Sequence, residues 1–272
     1  MMPLVSTIIP VFNRPALLRE AVASVLAQTY RPIEIIIVDD GSTDSTPEVI
    51  RELEASAAGI IRSLRQANSG PGVAREAGRQ GSQGVFIQYL DSDDLLLPRK
   101  FELQVAALDS HPECGIAYGK TQFARVGQIP AGEAHKGTGE RREFLFPALL
   151  IDRWWSTNTP LYRRSLCDRL GPWLALWNEE DWEYEARAAA LGTSLCYCEE
   201  FVSVTRSHEY DQHLCHQGAS DPKKLGNRAK AHERILEHAQ AAGIGPDIPE
   251  MRHFARELFL LARQCGAAGL AA

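Results

Sequence analysis

No two cysteines in this 272-residue chain show the Cys-x-x-Cys spacing of a zinc or redox site, and no phosphate loop with a Walker lysine occurs. The six cysteines, Cys114, Cys167, Cys196, Cys198, Cys215 and Cys265, are scattered, which favours free thiols over a disulfide frame. Cys196 and Cys198 with His213, Cys215 and His216 have the ligand types of a zinc site, but two thiols on one side of an alternating strand lack a zinc-ribbon frame. Long apolar runs are missing too. The stretch 258–262 is broken by Arg263 and Gln264, far short of the roughly 20 residues that a spanning helix needs. No basic region precedes the first apolar run, which contains Pro10, so no signal peptide is expected and the expected place is the cytoplasm. Positive charge is scarce as well. With 29 Lys and Arg against 35 Asp and Glu, a net charge of -6 gives no reason to expect nucleic acid as a partner. At 44% hydrophobic residues the chain can bury one large core.

What is present is an alternation of strand and helix patterns. Residues 5–11 read as a strand, after which Leu17, Leu18, Ala21, Val22, Val25 and Leu26 recur at helical spacing behind Pro15. The nearly unbroken apolar run 33–38 reads as a strand covered on both faces. Ser45-Thr46-Pro47-Glu48 has the spacing of a capping box and starts a second helix ending near Ala58. A third strand is expected over 60–64, a third helix over 72–79 and a fourth strand over 85–90. This βαβα order predicts an α/β fold, a doubly wound, mostly parallel sheet with helices on both faces, whose ligands gather at the carboxyl ends of the strands. The second half is less regular. It shows a helix over 98–108, a strand over 115–118, a loop rich in glycine and charge over 125–142, and two helices over 222–242 and 249–264. All five tryptophans lie between 154 and 182, where some belong to the core and others suit a flat or ring-shaped substrate.

Asp91-Ser92-Asp93-Asp94 ends the fourth strand and is followed by Leu95-Leu96-Leu97. Carboxylates between two apolar segments are disfavoured unless something positive compensates them, so this strand end is expected to open onto a site for a divalent cation. The leucines leave no third oxygen ligand, turn glycine or distal glutamate, which excludes an EF-hand. Gly70-Pro71-Gly72-Val73-Ala74-Arg75 carries arginine where the dinucleotide fingerprint needs its third glycine, which argues against a Rossmann dehydrogenase.

Four strand-end features follow one another in register: Pro10-Val11-Phe12-Asn13, Val38-Asp39-Asp40-Gly41-Ser42-Thr43-Asp44, Asn68-Ser69-Gly70 through Ala74-Arg75, and Leu90-Asp91-Ser92-Asp93-Asp94. Two more come later, residues 159–173 and Glu179-Glu180-Asp181-Trp182-Glu183. Together and in this order they resemble the family 2 glycosyltransferases of GT-A fold, inverting enzymes that take sugars from nucleoside-diphosphate donors. The resemblance runs over about residues 4–208 and implies a GT-A domain over 1–208, with a nucleotide-binding half at about 1–97 and an acceptor half at about 98–208. Residues 209–272 match nothing in it and are expected to form a helical extension through which two copies could pair as a homodimer.

The resemblance implies a role for each motif. Asp40 would contact uracil, with Pro10 and Phe12 beside it at strand ends; capping of the turn at Gly41 by Asp39 and Asp40 is the plain alternative. Arg14 and Arg75 would meet the pyrophosphate, which suits guanidinium forks, although Arg14 also reads as a surface arginine. Asp91 and Ser92 fall toward the ribose, and Asp93 aligns with the direct ligand of Mn2+ or Mg2+. His208 is either a further metal ligand or a structural histidine, and Asp94 a helix cap or a group that supports the metal ligands from behind. Asp181 would be the general base for the acceptor hydroxyl, or else a capping carboxylate.

A saccharide or lipid-linked acceptor, as in polysaccharide biosynthesis, is expected near Trp154, Trp155, Glu180 and Trp182. A lipid-linked one would allow peripheral attachment at the inner face of the membrane. The rival reading is a non-catalytic nucleotide-sugar-binding protein or assembly partner. A nucleotidyltransferase shares the layout but needs glycines after the first strand, and a glycoside hydrolase leaves the nucleotide motifs unexplained.

Overall fold

The computed structural model describes residues 2–208 and 221–270. His213, Cys215 and His216 lie outside them; Cys114, Cys167, Cys196, Cys198 and Cys265 are free and buried.

Four parallel strands form half of the sheet: β1 (Val5–Val11), β2 (Ile33–Asp39), β3 (Ile61–Arg65) and β4 (Phe86–Tyr89). They are joined by α1 (Pro15–Leu26), α2 (Thr46–Ser56) and α3 (Pro71–Gly81). Every residue of β2 is buried, as the apolar run requires of a strand with helices on both sides. The chain steps outward from β1 to β2 and β3, then returns to β4 on the other side of β1. That reversal opens a crevice at the carboxyl ends of β1 and β4. The full order is β3-β2-β1-β4-β7-β6-β8-β5, completed by β5 (Leu95–Leu96), β6 (Cys114–Arg125), β7 (Leu161–Arg163) and β8 (Ser194–Ser207). β7 runs antiparallel to both β4 and β6, whereas β6 and β8 are parallel, so the sheet is mixed but mostly parallel.

Successive strand residues feed opposite faces, which divides the core in two. Ile9 and Phe86 pack with Leu18 and Val22 of α1 and with Phe101 and Val105 of α4 (Lys100–Ser110). Ile8 and Ile87 point the other way, into an aromatic cluster with Tyr89, Tyr118, Trp155, Tyr162, Trp173 and Tyr184. Trp173 and Tyr184 stack at 4.1 Å, and Tyr89 meets Trp173 edge-on at 4.8 Å. The second face is closed by α5 (Arg164–Leu170), α6 (Glu180–Ala190), α7 (Pro222–Ala241) and α8 (Pro249–Ala267). Ile235 and Ala239 of α7 and Met251 and Phe254 of α8 belong to the same aromatic core, so the C-terminal helices are built into the domain. Among the described residues no helix is long and apolar enough to cross a membrane.

Several expectations need correction. β6 runs to Arg125, well past Tyr118, because its partner β8 is equally long. Ser45 makes no side-chain cap: Asp44 accepts the Thr46 amide at 2.9 Å instead, and the Thr46 hydroxyl accepts the Arg14 amide at 3.1 Å, tying the starts of α1 and α2 together. Trp154 and Trp155, expected at the acceptor, are 4% and 1% exposed, because indole rings of that size are what fills the space between β6 and the C-terminal helices.

α3 lies close against β1 through Gly78, where an added Cβ would stand 2.3 Å from Ile8 Cγ2. Alanine for glycine in a helix ordinarily adds about 1 kcal/mol of stability. Here the sign should reverse. Gly78→Ala is expected to destabilise by about 1–3 kcal/mol through overpacking, read from urea denaturation.

Candidate active site

The strand ends bring the expected motifs into one crevice. Val11 is registered with Asp39 across β1 and β2, so Phe12 and Asn13 leave the sheet beside the Asp39-Asp40 turn. Asn13 adopts a left-handed conformation at φ 52°, and its side-chain oxygen accepts the Thr43 amide at 2.8 Å. Asp39 accepts the Ser42 amide at 2.8 Å and pairs with Arg65 at 2.8 Å, which makes it a turn residue. Asp40 is buried and takes the amides of Ser69 and Gly70, each at 2.9 Å, with the Gln66 side chain at 2.8 Å. Its carboxylate thus shapes the loop that launches α3. Pro10 and Phe12 are half-buried beside it.

The four residues after β4 take different roles. Asp93 Oδ2 lies 2.8 Å from Arg14 Nη1 and 3.0 Å from His208 Nε2, so β1, β4 and the end of β8 converge on one oxygen. Burial works against the Asp93 charge, but His208 and Arg14 hold its carboxyl below the usual carboxylate range. Asp94 is no helix cap. β5 follows it directly, and its Oδ1 accepts the Arg206 amide at 2.8 Å, fixing the end of β8 that carries His208. Burial, then Asp93 and Asp91, push the Asp94 carboxyl well up, opposite to the shift of Asp93. Ser92 is buried, while Asp91 keeps an open edge.

Asp93 and His208 supply a hard oxygen and an imidazole nitrogen at a common point, a donor pair that suits Mn2+ or Mg2+. Among the described residues no group of three His, Cys, Asp or Glu forms a closed cage. Two protein ligands still fit, because such cations commonly complete their shell with substrate phosphates and water.

Arg75, expected at the pyrophosphate, is engaged by two carboxylates. It is 3% exposed, with one nitrogen 2.6 Å from Asp91 and another on Glu180. Burial opposes the guanidinium charge, yet Asp91 and Glu180 together raise its pKa above the ordinary value. The bridge ties the strand-end carboxylates to the start of α6, and Arg75 also stacks 5.0 Å from Trp173.

Asp181 stands in the first turn of α6, where the helix dipole favours a carboxylate. Its Oδ2 lies 2.8 Å from Arg153 and accepts the Thr157 hydroxyl at 3.1 Å, with the side chain 21% exposed. Burial pushes this carboxyl up, but Arg153 and Arg75 bring it below the usual range. Glu180 goes the other way: burial, opposed by Arg75 and helped by the Asp181 charge, lifts it to about 7. Neighbouring carboxylates are therefore driven apart by their surroundings. Arg153 is itself pinned by Glu185 at 2.7 Å. Arg153 and Thr157 were missed from sequence; they lie 28 and 24 positions before Asp181 and form no pattern with it. Trp182 remains half-buried near Asp181, its indole donating to the Leu149 carbonyl at 2.9 Å.

A mixed, mostly parallel sheet with helices on both faces and a crevice at the carboxyl ends of β1 and β4 is the GT-A architecture. The solved structures bear this out: the chain superposes on Staphylococcus aureus TarS 1–349 in complex with UDP-GlcNAc with TM-score 0.70 and 17% identity, covering 98% of this chain and 73% of that one. Mannosyltransferase PcManGT of Pyrobaculum calidifontis, in complex with GDP-Man and Mn2+, matches with TM-score 0.61 and 18% identity over 98% of this chain and 74% of that one. Residues 6–166 match the family model of glycosyl transferase family 2, and the chain belongs to that family. An uncharacterised glycosyltransferase of Haemophilus influenzae is 39% identical over 104 residues, 38% of this chain and 42% of that protein. One from Nostoc is 40% identical over 114 residues, 42% of this chain and 35% of that protein. The chain thus spans less than half the length of these curated relatives.

Arg75→Met would leave Asp91 and Glu180 without their shared counter-ion, a loss expected to cost about 3 kcal/mol, and Glu180→Gln in that background should restore part of it. The Glu180 carboxyl also predicts a pH effect. Its folded pKa of about 7 is above the unfolded value, so its stabilising contribution is full below the unfolded pKa and is lost as pH rises through about 7. Denaturant midpoints from pH 5 to pH 8 should fall for the wild type and flatten for Glu180→Gln.

Proposed function

We propose that the protein transfers a sugar from a nucleoside-diphosphate donor, most simply a UDP-sugar, to an acceptor hydroxyl with inversion, using Asp181 as general base. The observation that carries this reading is the bridge through Arg75. It joins Asp91 at the donor side to Glu180, the residue before Asp181, so the residues that flank donor and base share one buried guanidinium. In the proposed complex the nucleoside lies across the ends of β1 and β2, with Pro10 and Phe12 against the base. Asp40 contributes there chiefly through the loop it shapes, since its oxygens already accept three donors. Asp91 and Ser92 face the ribose.

Arg14, resting on Asp93, is the guanidinium best placed to move onto a pyrophosphate. Asp93 and His208 would hold a divalent cation, which would stabilise the charge of the departing nucleoside diphosphate. Asp181 is ionised at neutral pH, and its partly open side chain can accept the proton of an acceptor hydroxyl attacking opposite the phosphate. Arg153 and Thr157 aim that carboxylate. Trp182 borders the acceptor side, where a saccharide or lipid-linked sugar would lie, while Glu180, expected there too, is turned inward onto Arg75. The non-catalytic reading has no observation in its favour, because the metal and base positions are all filled by competent side chains.

UDP-, GDP-, dTDP- and CMP-sugars with and without Mn2+ should give a metal-dependent rise in melting temperature for one nucleotide, and donor hydrolysis should accompany it. No shift with any of them would sink the enzyme reading. Asp181→Asn should keep the thermal shift while turnover drops about 10²–10⁴-fold; near wild-type turnover would remove Asp181 from the mechanism.

A further inference from the structure

α7 lies outside the residues matched by the family model, yet one side of it is directed at the turn that carries Asp181. Glu179, the residue at the start of α6, is left-handed at φ 58° and ψ 16°, a conformation disfavoured for a residue with a side chain. It does not cap its own helix. Its carboxylate reaches away to α7 instead, 3.0 Å from Arg228 Nε and 2.9 Å from His232 Nδ1. His232 Nδ1 also faces the Arg228 carbonyl at 3.1 Å, an acceptor-only group that places the proton on this nitrogen.

The His232 ring cannot move to follow a displaced turn. It is buried, stacked on Phe254 of α8 at 5.4 Å with the planes 3° apart, and it meets the Trp182 ring edge-on at 5.3 Å. Three further contacts hold the turn on either side of Glu179. Before it, the Trp177 amide donates to Asn227 at 3.3 Å and the Lys223 ammonium stands 3.8 Å above the Trp177 ring. After it, His238 lies 3.2 Å from Glu183. Trp177 in turn packs against Gly70, where an added Cβ would come within 3.2 Å of the ring, and the Gly70 amide is the one bound by Asp40.

We infer that Glu179, Arg228 and His232 are positioning residues: α7 clamps the left-handed turn before α6 and thereby sets where Asp181 stands relative to the donor. The inference rests on the reading of Asp181 as the base. A helix that merely covered the core would need only apolar contacts here. Two polar side chains of α7 meeting one strained residue two positions before the base do something more specific: they keep a conformation that the local chain disfavours. Small displacements of a base are costly to rate without being costly to binding.

Glu179→Gly separates the two. Glycine takes φ 58° without strain, so the fold should keep or raise its melting temperature while the clamp is lost. Hydrogen exchange of the amides of residues 180–184 should quicken, with the β1 and β4 amides unchanged. Donor turnover should fall by about 10–100-fold in kcat with KM for the donor and affinity for UDP with Mn2+ nearly constant. Arg228→Lys, which keeps a cation, should lose less than Arg228→Ala. Unchanged exchange in residues 180–184 of Glu179→Gly would overturn the clamp whatever the activity, and so would wild-type kcat. Parallel loss of stability, UDP binding and kcat would reduce the contact to ordinary packing. A wild-type protein that turns over no nucleotide sugar, though its exchange responds as expected, would instead refute the reading of Asp181.

Discussion

A guanidinium inside a protein is tolerated only when carboxylates surround it, and the position of Arg75 makes the two halves of this fold depend on each other. Its partners, Asp91 after β4 and Glu180 at the start of α6, come from opposite sides of the crevice. The arginine arrives there because α3 approaches so closely: Gly72 leaves no room for a Cβ, which would stand 2.1 Å from the Leu174 carbonyl oxygen, and Gly78 sits against Ile8. Side chains at those two positions would push the helix out and carry Arg75 with it. Close packing at two glycines is thus converted into an electrostatic link between the end of β4 and the start of α6.

That link also explains why Glu180 and Asp181, adjacent in sequence, behave differently. Glu180 is turned inward toward an arginine it shares with Asp91, and its burial outweighs the help it receives. Asp181 has Arg153 at 2.8 Å and a partly open face, so it stays ionised. Arg153 is held in place by Glu185 one turn further along α6, so the helix supplies the carboxylate and also the anchor of its counter-ion. The donor end follows similar logic, with Asp93 ionised beside Arg14 and His208 while Asp94, fully buried behind it, fastens β8. In both pairs the outward carboxylate stays ionised and the inward one serves construction.

Much of the first half was legible without coordinates. The apolar run of β2, the helical spacing of Leu17, Leu18, Ala21, Val22 and Val25, and the four motifs at strand ends are local periodicities, and they placed the crevice correctly. The second half was harder because its elements are defined by partners. β6 continues past Tyr118 only because β8 runs beside it, and the two C-terminal helices looked separable until Ile235 and Phe254 were seen in the main core. The tryptophans misled for a similar reason. An indole suits a sugar platform or a large core gap equally well, and Trp154 and Trp155 fill the gap.

The sequence by itself determined which residue types stand at each strand end, and hence the family and the candidates Asp93, His208 and Asp181, since these are matters of short-range order. Only the tertiary structure decided what those side chains touch. Arg75 and Glu180 are 105 positions apart, and Arg14 and Asp93 are 79 apart. Arg153 and α7 reach the base from segments with no pattern that points to it. Contacts of that range depend on how closely helices pack, which is set by volume and burial summed over many residues and is written in no single stretch of the chain.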